Sequence, residues 1–181
     1  MASGPQDLDE ARALLVSLAR ALGCSEDALP RFGEPLTRDE EWTLRHQAGC
    51  FRLDYFERGL ERQLASSKDF EDVAFEVLRS LSQAAAIAQV KGESPGTGDS
   101  RRLWFARQCS LMQALGEPWG ARMTAHQEAT LAAHPFDDHA EARIDRMRTH
   151  EREGVSREEA YRRALEEFPA PIARVPTTRG T

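Results

Sequence analysis

Cysteine is scarce and poorly spaced for its usual roles. Cys24, Cys50 and Cys109 lie far apart and form neither a C-x-x-C pair nor a zinc-ligand spacing, so they read as buried free thiols in a reducing compartment. A long apolar run is also missing. The stretch from Ala13 to Leu22 is broken by Arg20, and the segment MASGPQDLDEAR carries no basic region. Neither a signal peptide nor a membrane span is expected, and the chain reads as cytoplasmic. Lysine is rare beside arginine and the net charge is −6. No overall basic field is available to grip phosphates, which disfavours nucleic acid and favours neutral or basic partners. The chain has no G-x-S-x-G elbow, no Cys beside a nearby His and no Gly-rich phosphate loop. The glycines of GESPGTGDS follow no strand and precede no Lys.

What is present describes a folded α+β domain. The 181 residues fit one core, taken here as residues 1–168 with a flexible tail over 169–181. The hydrophobic fraction of 40% is modest and the charged fraction of 30% high, but Leu, Ala, Val, Phe and Trp recur at regular intervals, as they do not in disordered chains.

Most of that recurrence has helical spacing, and the stretch from Glu40 to Ser67 does not. It pairs well as a three-stranded antiparallel meander if Ala48-Gly49 and Arg58-Gly59 form two-residue turns. The first turn sets Trp42 opposite Tyr55, Leu44 opposite Leu53 and His46 opposite Phe51; the second sets Leu53 opposite Leu64. One face is then apolar. The other carries Thr43, Arg45, Gln47, Arg52, Asp54, Glu61 and Gln63, with Phe56 among them.

About five to six helices are expected to cover the apolar face. The first runs over Leu8–Leu22 and stops at Gly23; a loop marked by Pro30, Gly33 and Pro35 follows. A long central helix spans about Asp69–Lys91 behind Ser66 or Ser67 as cap, with Phe70, Val73, Ala74, Val77 and Leu81 on its core stripe. Asp99 or Ser100 caps the next helix, which ends at Gly116. Another runs from Trp119 to about Ala133. Asp137 or Asp138 caps a charged helix to Glu153, and Ser156 with Glu159 forms a capping box for the last.

The most chemical-looking segment is HQEATLAAHPFDDHAEARID. His126 and His134 are eight residues apart, and His134 and His139 are separated by a proline, whereas a helical metal pair wants an i, i+4 spacing. Capping acids and solvated histidines account for the segment more cheaply, so neither metal nor cofactor is expected. Arg146 with His150 and Arg122 with His126 read as surface pairs at helical spacing. A surface argument remains. With helices on one face of the meander, the other face stays open, and Arg45, Arg52, Asp54, Phe56, Glu61 and Gln63 are the expected partner-binding residues.

The strand ending in YFERG, the strand LERQLASS, the helix DFEDVAFEVLRSLSQAAA and the run DSRRLWFARQCSLMQALGEPWGARMTAHQEATLAAHPFDD together resemble the Immunity protein 63 family of bacterial polymorphic toxin systems. The resemblance spans about Gly49 to Asp138. Its most specific parts are Asp99 through Leu115 to Trp119 and the closing Pro135, Phe136, Asp137 and Asp138. It implies a cytoplasmic, non-enzymatic protein that binds and neutralises a cognate toxin by occlusion; the acidic balance suits a basic toxin such as a nuclease. Two other classes stand beside it: a metal-dependent or His/Asp-based enzyme, and a helical adaptor or regulator subunit.

Overall fold

The computed structural model describes residues 4–33, 41–94, 96 and 98–173. In chain order these form α1 (Leu8–Ala21), a short 3-10 turn (Glu26–Ala28), β1 (Arg31–Phe32), β2 (Glu41–Gln47), β3 (Cys50–Glu57), β4 (Leu60–Ser67), α2 (Phe70–Gln89), α3 (Arg101–Ala114), α4 (Glu117–Ala133), α5 (Ala140–Arg152) and α6 (Arg157–Glu167). The class is α+β, as expected.

The sheet is mixed and four-stranded, in the order β1-β2-β3-β4. The three-stranded expectation is corrected by one short strand. Residues expected as loop pair parallel to β2, Arg31 with Thr43 and Phe32 with Leu44. The Thr43 hydroxyl donates to the Arg31 carbonyl at 3.1 Å, and the Gly33 N–H donates to the Leu44 carbonyl at 2.9 Å. Pro35, placed in that loop, lies outside the described residues.

Both hairpin turns form where the glycines placed them. Ala48 and Gly49 have φ of 52° and 72°, Arg58 and Gly59 of 52° and 78°, so both central residues of each turn are left-handed, as a type I′ turn requires. The β2–β3 register is the expected one, with Trp42 opposite Tyr55, Leu44 opposite Leu53 and His46 opposite Phe51. The His46 and Phe51 rings stack at 4.3 Å. The β3–β4 register runs true from Glu57–Leu60 to Asp54–Gln63 and then shifts, so that Leu53 faces Ala65. The expected Leu53–Leu64 pair is therefore corrected. Leu64 is the extra residue of a bulge, and it is half-exposed while Leu53 is fully buried.

The core lies between the apolar sheet face and the helices. Leu44, Phe51 and Leu53 meet Phe70, Val73, Ala74, Val77, Leu78 and Leu81 of α2, and Ala11, Leu15 and Ala19 of α1 pack into the same cluster. The ring of Phe51 meets that of Phe70 edge-on at 4.9 Å. Helix α2 is central, touching α1, α3, β3 and β4. Asp69 caps it by accepting the Glu71 N–H, while the Ser67 hydroxyl accepts the Asp69 N–H.

Helices α3 and α4 are antiparallel neighbours, and their approach depends on Gly120. A Cβ there would stand 2.6 Å from Gln113 Cγ and 3.0 Å from Gln113 Cα. The two helices and α2 are also joined by buried amides. Gln108 Nε2 donates to the Arg79 carbonyl at 2.9 Å, and Gln127 Nε2 donates to Gln108 Oε1 at 3.1 Å and to the Phe105 carbonyl at 3.0 Å. Satisfied polar groups of this kind fix one packing register, because any shift would strand a buried donor.

Helix α6 is capped by Ser156 as expected. The Glu159 half of the capping box is not made; its carboxylate pairs with Arg162 and Arg163 instead. Residues 169–173 are exposed, and the rest of the expected tail, 174–181, lies outside the described residues.

Candidate partner-binding face and the clasp behind it

Period-two alternation puts Thr43 and Arg45 of β2, Arg52, Asp54 and Phe56 of β3, and Glu61 and Gln63 of β4 on the sheet face opposite the helices. The register aligns them in rows: Arg45 with Arg52, Thr43 with Asp54 and Gln63, and Glu41 with Phe56 and Glu61. Two arginines directly opposite each other would repel, and the neighbouring acids resolve the repulsion. Arg52 Nε donates to Asp54 Oδ1 at 2.6 Å, and Arg45 Nη1 lies 3.7 Å from Asp54 Oδ2. Both guanidinium groups then share Glu61 Oε1, at 3.2 Å from Arg45 and 3.3 Å from Arg52. Two cations and two anions thus close into one network of zero net charge.

The expectation of an open, solvated row holds for its rim and fails at its centre. Asp54 and Thr43 have no exposed surface, although they stand on the face turned away from the helices. Arg45 is mostly covered, and Phe56 is half-buried. Long arginine side chains lie across a neighbouring carboxylate when it offers hydrogen bonds, and here they cover it. The bond to Asp54 also raises the Arg52 guanidinium above its ordinary pKa. Exposure is left to Glu61, Gln63 and part of Arg52.

A second polar cluster, missed in the sequence, joins the start of α3 to the α4–α5 connection. The N–H of Asp99 donates to Asp138 Oδ1 at 2.8 Å, and the N–H of Asp137 donates back to Asp99 Oδ2 at 2.9 Å. Arg101 binds Asp99 with Nε and Nη2 and reaches the carbonyls of His134 and Pro135. Arg102 grips both oxygens of Asp138, at 2.8 and 2.6 Å, and lies 4.3 Å over the Phe136 ring. Arg143, buried on α5, pairs with Asp137 and donates to the Phe168 carbonyl at 2.9 Å.

Neither Asp137 nor Asp138 caps α5 with its side chain, as had been expected; the cap position falls to His139. The arginines of DSRR were available as partners for the acids of PFDD, but the 32 residues between the two motifs hid the pairing. The Arg101 side-chain hydrogen bond, joined by the backbone N–H groups of Asp137 and of Arg101 itself, holds the Asp99 carboxyl at about 2 against the cost of burial. Asp138 is likewise held below the usual range, chiefly by Arg102.

The histidine-rich segment is dispersed. His126 stands edge-on to Phe75 at 6.1 Å, and desolvation lowers its pKa, with Arg79 adding to the effect. His134 contributes its carbonyl to Arg101. His150 lies between the carboxylates of Glu153, at 3.1 Å, and Glu167, at 3.5 Å. Among the described residues, no three or more His, Cys, Asp or Glu side chains are grouped to hold a metal ion. Nor is any helix among them long and apolar enough to cross a membrane.

The sheet from its first hairpin turn, the central helix and the α3–α4 pair together carry a recognisable pattern. Residues 48–129 match the Immunity protein 63 family. The resemblance read between Gly49 and Asp138 is borne out over that segment. No curated protein and no solved structure matches the chain. The matched segment takes in β3, β4, α2, α3 and most of α4. It therefore contains Arg52, Asp54, Phe56, Glu61 and Gln63, while Arg45 lies just before it. It also holds the Asp99–Arg102 half of the clasp but not Asp137 and Asp138. The pattern that carried the resemblance at its far end thus has a structural duty, joining α3 to the chain that follows α4.

Proposed function

We propose that this chain is an immunity protein that binds a cognate bacterial toxin in the cytoplasm and neutralises it by occlusion, without catalysis. The match of residues 48–129 to Immunity protein 63 carries this reading. Residues 1–168 act as one domain. The sheet face built on Arg45, Arg52, Asp54, Phe56, Glu61 and Gln63 is the proposed contact surface. Its charge network is neutral and its side chains are held by one another, apart from Asp54 Oδ2, which has no hydrogen bond and only the Arg45 guanidinium at 3.7 Å. Groups already held in place lose little freedom on binding. The net charge of −6 suits a basic toxin such as a nuclease by favouring encounter.

The test is co-expression with the toxin encoded beside this gene. Protection of the cells, together with a purified complex with an inactivated toxin, is the expected result; no protection and no complex would overturn the reading. Within such a complex, Phe56→Ala with Glu61→Gln should weaken association tenfold or more while the free variant stays folded.

A further inference from the structure

Strand β4 closes the sheet on one side, and nothing in the described structure pairs with its outer edge. The opposite edge strand, β1, is only two residues long, whereas β4 has eight and no Pro; the charges of Glu61 and Arg62 and the bulge at Leu64 are what limit its edge. Leu60 is 60% exposed and Leu64 48%.

The turn geometry fixes which backbone groups face outward. A two-residue turn at Arg58-Gly59 makes Glu57 and Leu60 a hydrogen-bonded pair, and alternation then points Leu60 and Arg62 at β3 and Glu61 and Gln63 away from it. The bulge follows directly, so the regular outer edge is the run Leu60–Gln63.

We propose that this edge receives an extended segment of the cognate toxin as a fifth strand, with a basic side chain of that segment facing Glu61. The inference rests on the immunity reading above and adds to it a mode of binding. A second copy of this chain fits the edge poorly. A twofold dimer would pair identical strands antiparallel; two of the registers that use the outward groups set Arg62 opposite Arg62 or Glu61 opposite Glu61, and the third, Gln63 opposite Gln63, runs straight into the bulge at Leu64. Like charges directly opposed are destabilising. A foreign strand escapes that restriction, and a cation opposite Glu61 extends the Arg45–Arg52–Glu61 network by one alternating charge. The edge is continuous with the proposed contact face, because Glu61 and Gln63 belong to both.

The experiment is backbone amide exchange by NMR on the free chain and on its complex with the neighbouring toxin inactivated by an active-site substitution. In the free chain, Glu61 and Gln63 amides should exchange fast while Leu60 and Arg62 are protected; in the complex, the first two should slow at least tenfold. Gln63→Pro removes an outward N–H and leaves the β3 ladder, so it should weaken binding tenfold or more with little change in Tm. Unchanged exchange at Glu61 and Gln63 in a saturated complex overturns the proposal and leaves the immunity reading intact. Protection of the same amides in a dimer of the free chain also overturns it, assigning the edge to a second copy. Absence of both complex and cellular protection overturns the immunity reading itself, and this inference with it.

Discussion

Arg52 Nε lies 2.6 Å from Oδ1 of Asp54, a carboxylate with no exposed surface. A buried acid of this kind is held by its partners, and its removal leaves two cations facing each other across β2 and β3. Asp54→Ala should cost about 2–4 kcal/mol. Asp54→Lys, which adds a third cation, should prevent folding or come close to it. Glu61→Gln, at the exposed rim, should cost under about 1 kcal/mol. Urea denaturation of the three variants checks the order; an Asp54→Ala protein as stable as the parent would mean the network is not formed.

The bulge makes a sharp contrast between neighbouring leucines. Leu53→Ala removes a fully buried side chain facing Leu44 and should cost about 2–5 kcal/mol. Leu64→Ala should stay within about 0.5 kcal/mol, because the bulge leaves that side chain half in water. Equal losses at the two positions would restore the unbulged register.

The difference between those leucines shows how far the sequence could be read. Glycine at each turn, alternation in β2 and β3, and the helical stripe of α2 each depend on neighbours within a few residues, and all appear as expected. The bulge at Leu64 does not follow from local alternation, since both registers keep Leu53 buried. The burial of Asp54 was hidden for a related reason: alternation assigns a face but not what lies across it. The Asp99–Asp138 clasp and the Gln108–Gln127 pair join residues too far apart for a periodic pattern to connect. Family resemblance found the clasp residues without showing their role, and their geometry now gives it.

Close helix packing gives the next test. Gly120 lies against Gln113, whose backbone Cα would be 3.0 Å from an added Cβ. The Gln113 side chain can swing aside, but its backbone cannot. Gly120→Ala should therefore cost about 1–3 kcal/mol, despite the better helix propensity of Ala. Thermal unfolding measures it. A stabilised variant would show that α3 and α4 are further apart than described.

The clasp at the start of α3 ties stability to acid pH through Asp99. Its carboxyl titrates at about 2 in the folded protein, whereas an unfolded Asp titrates near 3.9. The folded pKa is the lower of the two, so the folded state binds protons less readily and the contribution is fully present above about pH 4. It is lost as the pH falls from about 4 to about 2, when the carboxylate gives up Arg101 and the Asp137 N–H. Asp99→Asn should cost about 1–3 kcal/mol at pH 7, and the gap between parent and variant should narrow steadily below pH 4. Comparing the two chains at each pH cancels the other carboxylates, which titrate in both. Urea midpoints at pH 7, 4 and 2.5 provide the measurement. A gap of constant size across that range would mean that Asp99 acts by shape alone and that its charge does not hold α3 to the α4–α5 connection.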